Sequence, residues 1–295
     1  MSWTRRSVLK TAALGAACGA FRPLASEAMA QTATPAAPPA VSAPPSDEKQ
    51  WHGLRVGVCS YSVRSFPAAE ALQMIQRLGV RSLSLKDVHL PLTSSADERK
   101  QFRQQAEGMG LQITSCGVIY MKNDEALMRQ ALDYVRDLGA SVAVVGVNRE
   151  MLPTLDKAIR DYDLKAAIHN HGPNDKLFPS PLEIYDAIKP FDRKIGVCMD
   201  IGHTFRMHED LVADAKKMHD RLYSMHFKDL DSGEIKAKGV PVGTGVLPII
   251  PLLRELVRSH YTGEVQLEYE VEPKDPMPGA AESLGFMRGT LQAMA

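Results

Sequence analysis

The 295-residue sequence lacks a long hydrophobic run and an excess of charge of either sign. Its N-terminal apolar run, Thr11 to Ala20, covers about ten residues, whereas a membrane-spanning helix needs about twenty. We therefore expect no stable membrane insertion. Basic and acidic residues number 35 each. No cluster of Lys and Arg offers the electrostatic surface that nucleic acids require, so a nucleic-acid partner is not expected.

Cysteines are also scarce, with four in the whole chain. Three of them, Cys59, Cys116 and Cys198, lie beyond the first 30 residues, and they are widely spaced. An odd number at such spacing is not a disulfide framework. Each lies in or at the end of an apolar strand candidate, which predicts buried free thiols.

The N-terminus is typical of a targeting segment. Thr4-Arg5-Arg6-Ser7-Val8-Leu9-Lys10 precedes the small apolar run, as in a twin-arginine export signal, and Ala28-Met29-Ala30 suits a signal peptidase. We predict a signal peptide at 1–30 and a periplasmic or secreted mature protein. Residues 31–48, rich in Ala, Pro, Ser and Thr, are predicted to be a disordered linker.

Residues 49–295 have the length of one α/β barrel and alternate strand and helix patterns eight times. Leu78-Gly79, Met109-Gly110 and Leu138-Gly139 each place Gly between a helix and the next strand. Apolar runs such as Val142-Ala143-Val144-Val145 are typical of covered parallel strands. The pattern predicts a single (β/α)8 TIM barrel. Its strands are predicted at 54–60, 80–86, 111–118, 141–147, 164–169, 194–199, 222–228 and 264–270.

Ionisable residues end the last four predicted strands. In a TIM barrel, catalytic groups lie at these carboxyl-terminal ends. The sequence therefore predicts one divalent metal ion held by His169, Asp200, His226 and Glu268. Such nitrogen and oxygen ligands favour Mn²⁺ as the first expectation, with Mg²⁺, Co²⁺ or Zn²⁺ as alternatives.

Four segments resemble the xylose-isomerase-like superfamily of sugar isomerases and epimerases. They are Asp200-Ile201-Gly202-His203, His226-Phe227-Lys228-Asp229, Val242-Gly243-Thr244-Gly245 and Val265-Gln266-Leu267-Glu268-Tyr269. The resemblance implies that Asp200, His226 and Glu268 bind the metal, that His203 lies beside the substrate, and that Lys228 and Asp229 match the pair after the metal histidine.

The fifth strand departs from the family pattern, because His169-Asn170-His171 stands where the family has Glu-Asn-His. The family's pair of glutamate acid/base residues is then incomplete, and Glu268 needs a different partner. The candidates for catalysis beside Glu268 are His171, His203 and Lys86. For substrate binding, the candidates are His203, Lys228, His89, Asn148 and Tyr61, and Tyr120 after the third strand is a further candidate for lining a sugar pocket.

The resemblance implies proton abstraction next to a carbonyl of a metal-chelated sugar or keto-sugar, as in an isomerase or epimerase. Elimination by a 3-keto-glycoside lyase or hydratase stands nearly level with it, and a noncatalytic sugar-binding barrel is a third alternative. A nuclease of the endonuclease IV kind would need further ligands on the first four strands, where Cys59, Lys86, Cys116 and Asn148 stand instead. The expected partner is a small carbohydrate, and a homo-oligomer is compatible with the resemblance.

Overall fold

The computed structural model describes residues 50–173 and 175–294. The predicted export signal and linker, residues 1–48, lie outside the described residues. In chain order the strands are β1 (Arg55–Cys59), β2 (Ser82–Leu85), β3 (Gln112–Tyr120), β4 (Val142–Gly146), β5 (Lys165–His169), β6 (Ile195–Asp200), β7 (Leu222–Phe227), β8 (Asp229–Leu230), β9 (Gly239–Val240) and β10 (Glu264–Leu267). The α-helices are α1 (Ala68–Arg77), α2 (Ala96–Gly108), α3 (Glu125–Asp137), α4 (Leu152–Ile159), α5 (Pro181–Ala187), α6 (Ile201–Arg206), α7 (Leu211–Lys217), α8 (Ile249–Arg258) and α9 (Met277–Gln292).

Eight parallel strands close into a barrel in the order β1-β10-β7-β6-β5-β4-β3-β2. The short strands β8 and β9 form an antiparallel pair outside it. Because all barrel strands run in one direction, their carboxyl ends meet at one mouth. The prediction of a (β/α)8 barrel is confirmed.

Helix ends follow the glycine signals of the sequence. Gly79, Gly110 and Gly139 adopt φ angles of +74°, +75° and +74°, in the left-handed region where a side chain is strained. At the start of α2, Ser95 and Glu98 form a reciprocal capping box. Local sequence thus sets where these helices begin and end.

Two of the differences from the predicted boundaries concern the strand ends that form the site. β10 ends at Leu267, three residues earlier than predicted, and β6 continues directly into the short helix α6. The Asp200 side chain caps this helix by accepting a hydrogen bond of 2.8 Å from the His203 backbone N–H. The residue Asp200 therefore ends β6, and its carboxylate caps the start of α6.

The three cysteines of the described region, Cys59, Cys116 and Cys198, are buried and free, as predicted. Within residues 50–173 and 175–294, no helix has the length and apolar character needed to cross a bilayer.

Candidate metal centre and active site

Four ionisable side chains converge at the carboxyl ends of β5, β6, β7 and β10. They are His169, Asp200, His226 and Glu268, and one nitrogen or oxygen atom of each lies within 4.8 Å of the others. His169 Nε2 lies 3.1 Å from His226 Nδ1 and 3.5 Å from Asp200 Oδ2. His226 Nδ1 also lies 3.3 Å from Glu268 Oε2. The structure thus brings together the four predicted ligands.

The spacing of these atoms fits a divalent cation. Bonds of about 2.0–2.2 Å to nitrogen and oxygen place neighbouring ligand atoms roughly 3.0–3.5 Å apart. The three contacts made by His169 and His226 fall in that range. In addition, burial lowers the pKa of His169 to about 3, so its ring is neutral, which is the form that binds metal. Burial alone would also lower the pKa of His226, but Cys198, Cys59 and Glu268 raise it well above its usual value, so binding of an ion by His226 would release a proton.

Lys228 brings a positive charge to the same carboxylates. Its ammonium nitrogen lies 2.7 Å from Glu268 Oε2, 2.7 Å from Glu270 Oε2 and 2.9 Å from Asp200 Oδ2. Burial alone would raise the pKa of Asp200 and Glu268, but the ammonium lowers both well below the usual carboxyl range. The three carboxylates in turn overcome the effect of burial and hold the pKa of Lys228 well above its usual value.

The glycine of Asp200-Ile201-Gly202-His203 makes room for this lysine. A Cβ atom at Gly202 would lie 2.7 Å from both Cγ and Cδ of Lys228. Glycine at 202 therefore lets the lysine stem pass between β7 and α6. The Asp200-Ile201-Gly202-His203 motif and the His226-Phe227-Lys228-Asp229 motif therefore pack against each other through Gly202 and Lys228.

The Asp229 side chain has a structural role, because it binds the backbone of a neighbouring loop. Its carboxylate accepts hydrogen bonds from the backbone N–H groups of Gly243, Gly245 and Leu247 at 2.9–3.1 Å. A Cβ at Gly245 would lie 2.3 Å from Asp229 Oδ1. The Val242-Gly243-Thr244-Gly245 motif is thus folded around Asp229, which explains why these residue types occur together.

Asn170 connects the ends of β5 and β6. Its Oδ1 accepts a hydrogen bond of 2.9 Å from the Asp200 backbone N–H, and its Nδ2 donates one of 3.1 Å to Thr204 Oγ1. These bonds fix the backbone on which His169 and Asp200 are presented.

A pocket of about 190 Å³ opens at this mouth. It is lined by the predicted residues Tyr61, Lys86, His169, His171, His203, Lys228 and Glu268, and also by Val118, Tyr120 and Glu270. A larger cavity of about 660 Å³ opens at the other end of the barrel, but its lining includes none of the predicted site residues. The smaller pocket is therefore the candidate active site.

His171 lies in a chain of polar contacts. Its Nε2 lies 2.9 Å from the Tyr120 hydroxyl, and its Nδ1 lies 2.8 Å from Asp175 Oδ2. Burial lowers the pKa of His171 and of His203, so both rings are neutral at neutral pH. Burial and the nearby Asp175 raise the pKa of Tyr120, which keeps its phenol protonated.

Lys86 lies at the pocket wall. Its ammonium donates a hydrogen bond to the Val118 carbonyl and lies 3.2 Å from Asp87 Oδ1. It also lies 5.5 Å from the centre of the Tyr120 ring. These contacts place a positive charge beside the pocket without contact to the four candidate ligands.

Two predicted substrate-binding residues lie away from the pocket lining. His89 is buried with its Nδ1 3.0 Å from Ser60 Oγ, because the turn after β2 folds back onto the Ser60 segment. Asn148 accepts a hydrogen bond of 3.1 Å from the Met151 N–H and caps a 3₁₀ turn. Neither is among the residues that line this pocket.

Tyr120, which the sequence offers as a pocket residue after the third strand, lines the pocket. Two side chains at or near the site were not among the predicted site residues, namely Asp175 and Glu270. Tyr120 ends β3, and Glu270 follows β10 by three residues. Their positions at or just after the carboxyl end of a strand are the sequence feature that indicates a place at the barrel mouth. Asp175 lies in the loop after β5, where the sequence gives no comparable signal.

Among solved structures, an uncharacterised protein from Parabacteroides distasonis is 25% identical to this chain, with a TM-score of 0.64 over 82% of this chain and 100% of that one. The 3-keto-D-glucoside 4-epimerase YcjR from E. coli is 15% identical, with a TM-score of 0.66 over 80% and 99%. The IolI protein with a bound zinc atom is 12% identical, with a TM-score of 0.68 over 81% and 99%. The last two likenesses concern the fold alone.

No curated protein matches the chain in sequence. Residues 72–290, which are well over half of the chain, match the family described as xylose isomerase-like TIM barrels. The chain therefore belongs to the xylose isomerase-like TIM barrel family.

Proposed function

We propose that this protein is a divalent-metal-dependent isomerase or epimerase that removes a proton next to the carbonyl group of a sugar or keto-sugar. The observation that carries the proposal is the convergence of His169, Asp200, His226 and Glu268 beside the 190 Å³ pocket. When bound by these residues, a divalent cation would polarise the substrate carbonyl and stabilise an enediolate.

Glu268 is the proposed base for the first proton. Its Oε2 atom contacts His226 Nδ1 and the Lys228 ammonium, so Oε1 is the oxygen proposed to take the proton. The Lys228 ammonium lowers the pKa of Glu268, so the carboxylate is ionised at neutral pH but is a weak base, and the acidity that a bound cation would lend to the substrate C–H would have to offset this. The C–H electron pair then becomes the second bond of the enediolate.

The second acid/base group is proposed to be the Tyr120–His171 pair, since His169 stands in the place of the family glutamate. The Tyr120 phenol is protonated and lies 2.9 Å from the neutral His171 ring. In isomerisation, Tyr120 gives its proton to the carbonyl oxygen, Glu268 returns the substrate proton to the neighbouring carbon, and the tyrosinate takes a proton back from the hydroxyl that becomes the new carbonyl. In epimerisation, Tyr120 gives its proton to the opposite face of the carbon, after which Glu268 releases its proton to solvent and Tyr120 takes one up.

A 3-keto-glycoside lyase or hydratase is the second candidate. The first proton transfer is the same, but the electron pair then expels the β-oxygen substituent, which leaves with a proton from Tyr120. The absence of a glutamate at position 169 favours this outcome over symmetric epimerisation. The keto-glucoside named for the YcjR relative makes this substrate class a reasonable first choice.

Incubation of Mn²⁺-loaded protein with 3-keto-glucosides and free ketoses in deuterated water separates these reactions. Deuterium incorporation with intact carbon–oxygen bonds supports the isomerase, and cleavage with release of the β-substituent supports the lyase. If neither occurs but sugars bind, the barrel is a noncatalytic binder and the enzyme proposal is rejected.

A matched pair of variants tests the second acid/base group. Tyr120→Phe removes only the phenol oxygen and should lower turnover by roughly 100-fold, which is typical for loss of general acid–base catalysis. Tyr61→Phe changes another tyrosine of the pocket lining and should lower it far less. Equal effects would reject the role of Tyr120.

We further propose that residues 1–30 direct the folded protein through the twin-arginine pathway to the periplasm or medium. The sequence features of that segment support this proposal. Fusion of residues 1–48 to a reporter, with Arg5 and Arg6 both changed to Lys as the control, tests it.

A further inference from the structure

The Lys228 ammonium contacts the same two carboxylate oxygens that are available to a metal ion. It lies 2.9 Å from Asp200 Oδ2 and 2.7 Å from Glu268 Oε2. These oxygens are also the ones that approach the two histidines, at 3.5 Å from His169 Nε2 and 3.3 Å from His226 Nδ1. An ammonium and a divalent cation would thus share both oxygens.

Two cations on shared oxygens repel strongly in a buried site. Lys228 is 9% exposed at its side chain and Asp200 is fully buried, so water screens this repulsion little. The carboxylates also divide their negative charge between the two cations. Each cation therefore binds less tightly in the presence of the other.

Glu270 offers the ammonium an alternative position. Its Oε2 already lies 2.7 Å from Lys228 Nζ, but unlike Asp200 and Glu268 it is not one of the four candidate ligands. The Glu270 side chain is 45% exposed and lines the pocket. A small movement of the lysine tip toward the mouth keeps this ion pair and releases the other two.

We propose that Lys228 is a built-in competitor of the metal ion, which moves onto Glu270 when the ion binds and so weakens metal affinity. This inference rests on the proposed metal centre of the preceding section. It adds that metal binding places the Lys228–Glu270 pair at the pocket wall, where the ammonium can donate to a substrate oxygen.

Isothermal titration of the metal-free protein with Mn²⁺, without substrate, tests the competition. Lys228→Met keeps the stem that packs on Gly202 but removes the charge, and it should lower the Kd for Mn²⁺ by at least about tenfold. Lys86→Met is the matched control, because Lys86 lines the same pocket without contacting Asp200 or Glu268. It should change the Kd by less than about twofold.

A double-mutant cycle tests the role of Glu270. Glu270→Gln should raise the Kd about threefold or more in the wild-type background and have little effect in the Lys228→Met background. An equal effect in both backgrounds would mean that Glu270 acts on the ion directly, and would overturn its role as the alternative partner.

The sign of the Lys228 effect decides the main proposal. Weaker Mn²⁺ binding by folded Lys228→Met would mean that the lysine orders the carboxylates for the ion, and unchanged binding would mean that it does not compete with the ion; either result would make the proposal wrong. If Lys228→Met does not fold, the Glu270→Gln titration decides, since unchanged affinity there overturns the proposal. If wild type and Lys228→Met both bind no divalent ion, the metal centre itself is rejected.

Discussion

At the scale of single residues, the site offers two overlapping sets of donors. His169 and His226 belong both to the set with Asp200 and Glu268 and to a set with Cys198. Cys198 lies two residues before Asp200 on β6, and its neighbours in the barrel interior include Val144 and Ala167. The carboxylate set supplies four ligands and the needed negative charge, so we expect it to hold the ion.

Cobalt substitution distinguishes the two donor sets. Co²⁺ bound by the carboxylate set should lack the intense near-ultraviolet charge-transfer band of cobalt–thiolate bonding, and Cys198→Ser should bind Co²⁺ with unchanged stoichiometry. Asp200→Asn, in contrast, should lose most of the binding, because it removes one of two charged ligands. A thiolate band that disappears in Cys198→Ser would assign the ion to the other set.

The four candidate ligands were predictable because each ends a strand of a parallel barrel, and register then brings them together. Asp200 pairs directly with His226 across β6 and β7. The three ion pairs of Lys228 were not predictable, since they depend on how far a flexible stem reaches after packing on Gly202. His89 was assigned to the pocket because it follows a strand, but the turn after β2 directs its ring onto Ser60.

At the scale of elements, β10 carries polar residues into the barrel interior at every second position. Gln266 Nε2 donates a hydrogen bond of 2.9 Å to Ser82 Oγ, and Glu264 and Gln266 are both fully buried. The sequence predicted the strand at 264–270 and, through its glycines, the helix ends, but not which side chains of the strand face inward. The helix α6 was not predicted, because six residues carry too little periodicity to be recognised.

The buried carboxyl of Glu264 predicts a pH effect on stability. Burial raises the pKa of Glu264 in the folded protein, so folding favours its protonated form. Its favourable contribution is present below the ordinary carboxyl pKa and is lost as the pH rises through the folded pKa. Glu264→Gln mimics the protonated form, and its melting temperature relative to wild type should therefore increase with pH over that interval.

Glu98, whose pKa shifts in the opposite direction, serves as the control for Glu264. In the exposed capping box of α2, hydrogen bonds from the Ser95 backbone and hydroxyl lower the pKa of Glu98. Its ionised form is therefore favoured by folding, and Glu98→Gln should become less stable relative to wild type as pH rises through the carboxyl range. A melting temperature of Glu264→Gln that follows the same direction would contradict the burial argument.

At the scale of the whole molecule, the candidate ligands divide the barrel into two halves. They lie at the ends of β5, β6, β7 and β10, which are four neighbours in the barrel order, while β1 to β4 supply no member of the set. The same half holds the short helix α6 and the β8–β9 pair. A bound ion would thus connect four consecutive strands, and its effect on local opening should be unequal around the barrel.

Metal binding should raise the free energy of unfolding and should slow hydrogen exchange most in the half of the barrel that holds the ligands. Mn²⁺ at about 100 times its Kd adds about 2.7 kcal/mol to the free energy of unfolding, which raises the melting temperature of a domain this size by roughly 5–10 °C. Hydrogen exchange followed by mass spectrometry should slow in β5, β6, β7 and β10 more than in β2, β3 and β4, because an ion that ties four strands opposes their separate opening. Chelation should reverse both effects, and Asp200→Asn should show neither. Uniform protection of all eight strands would mean that the ion acts on global unfolding alone.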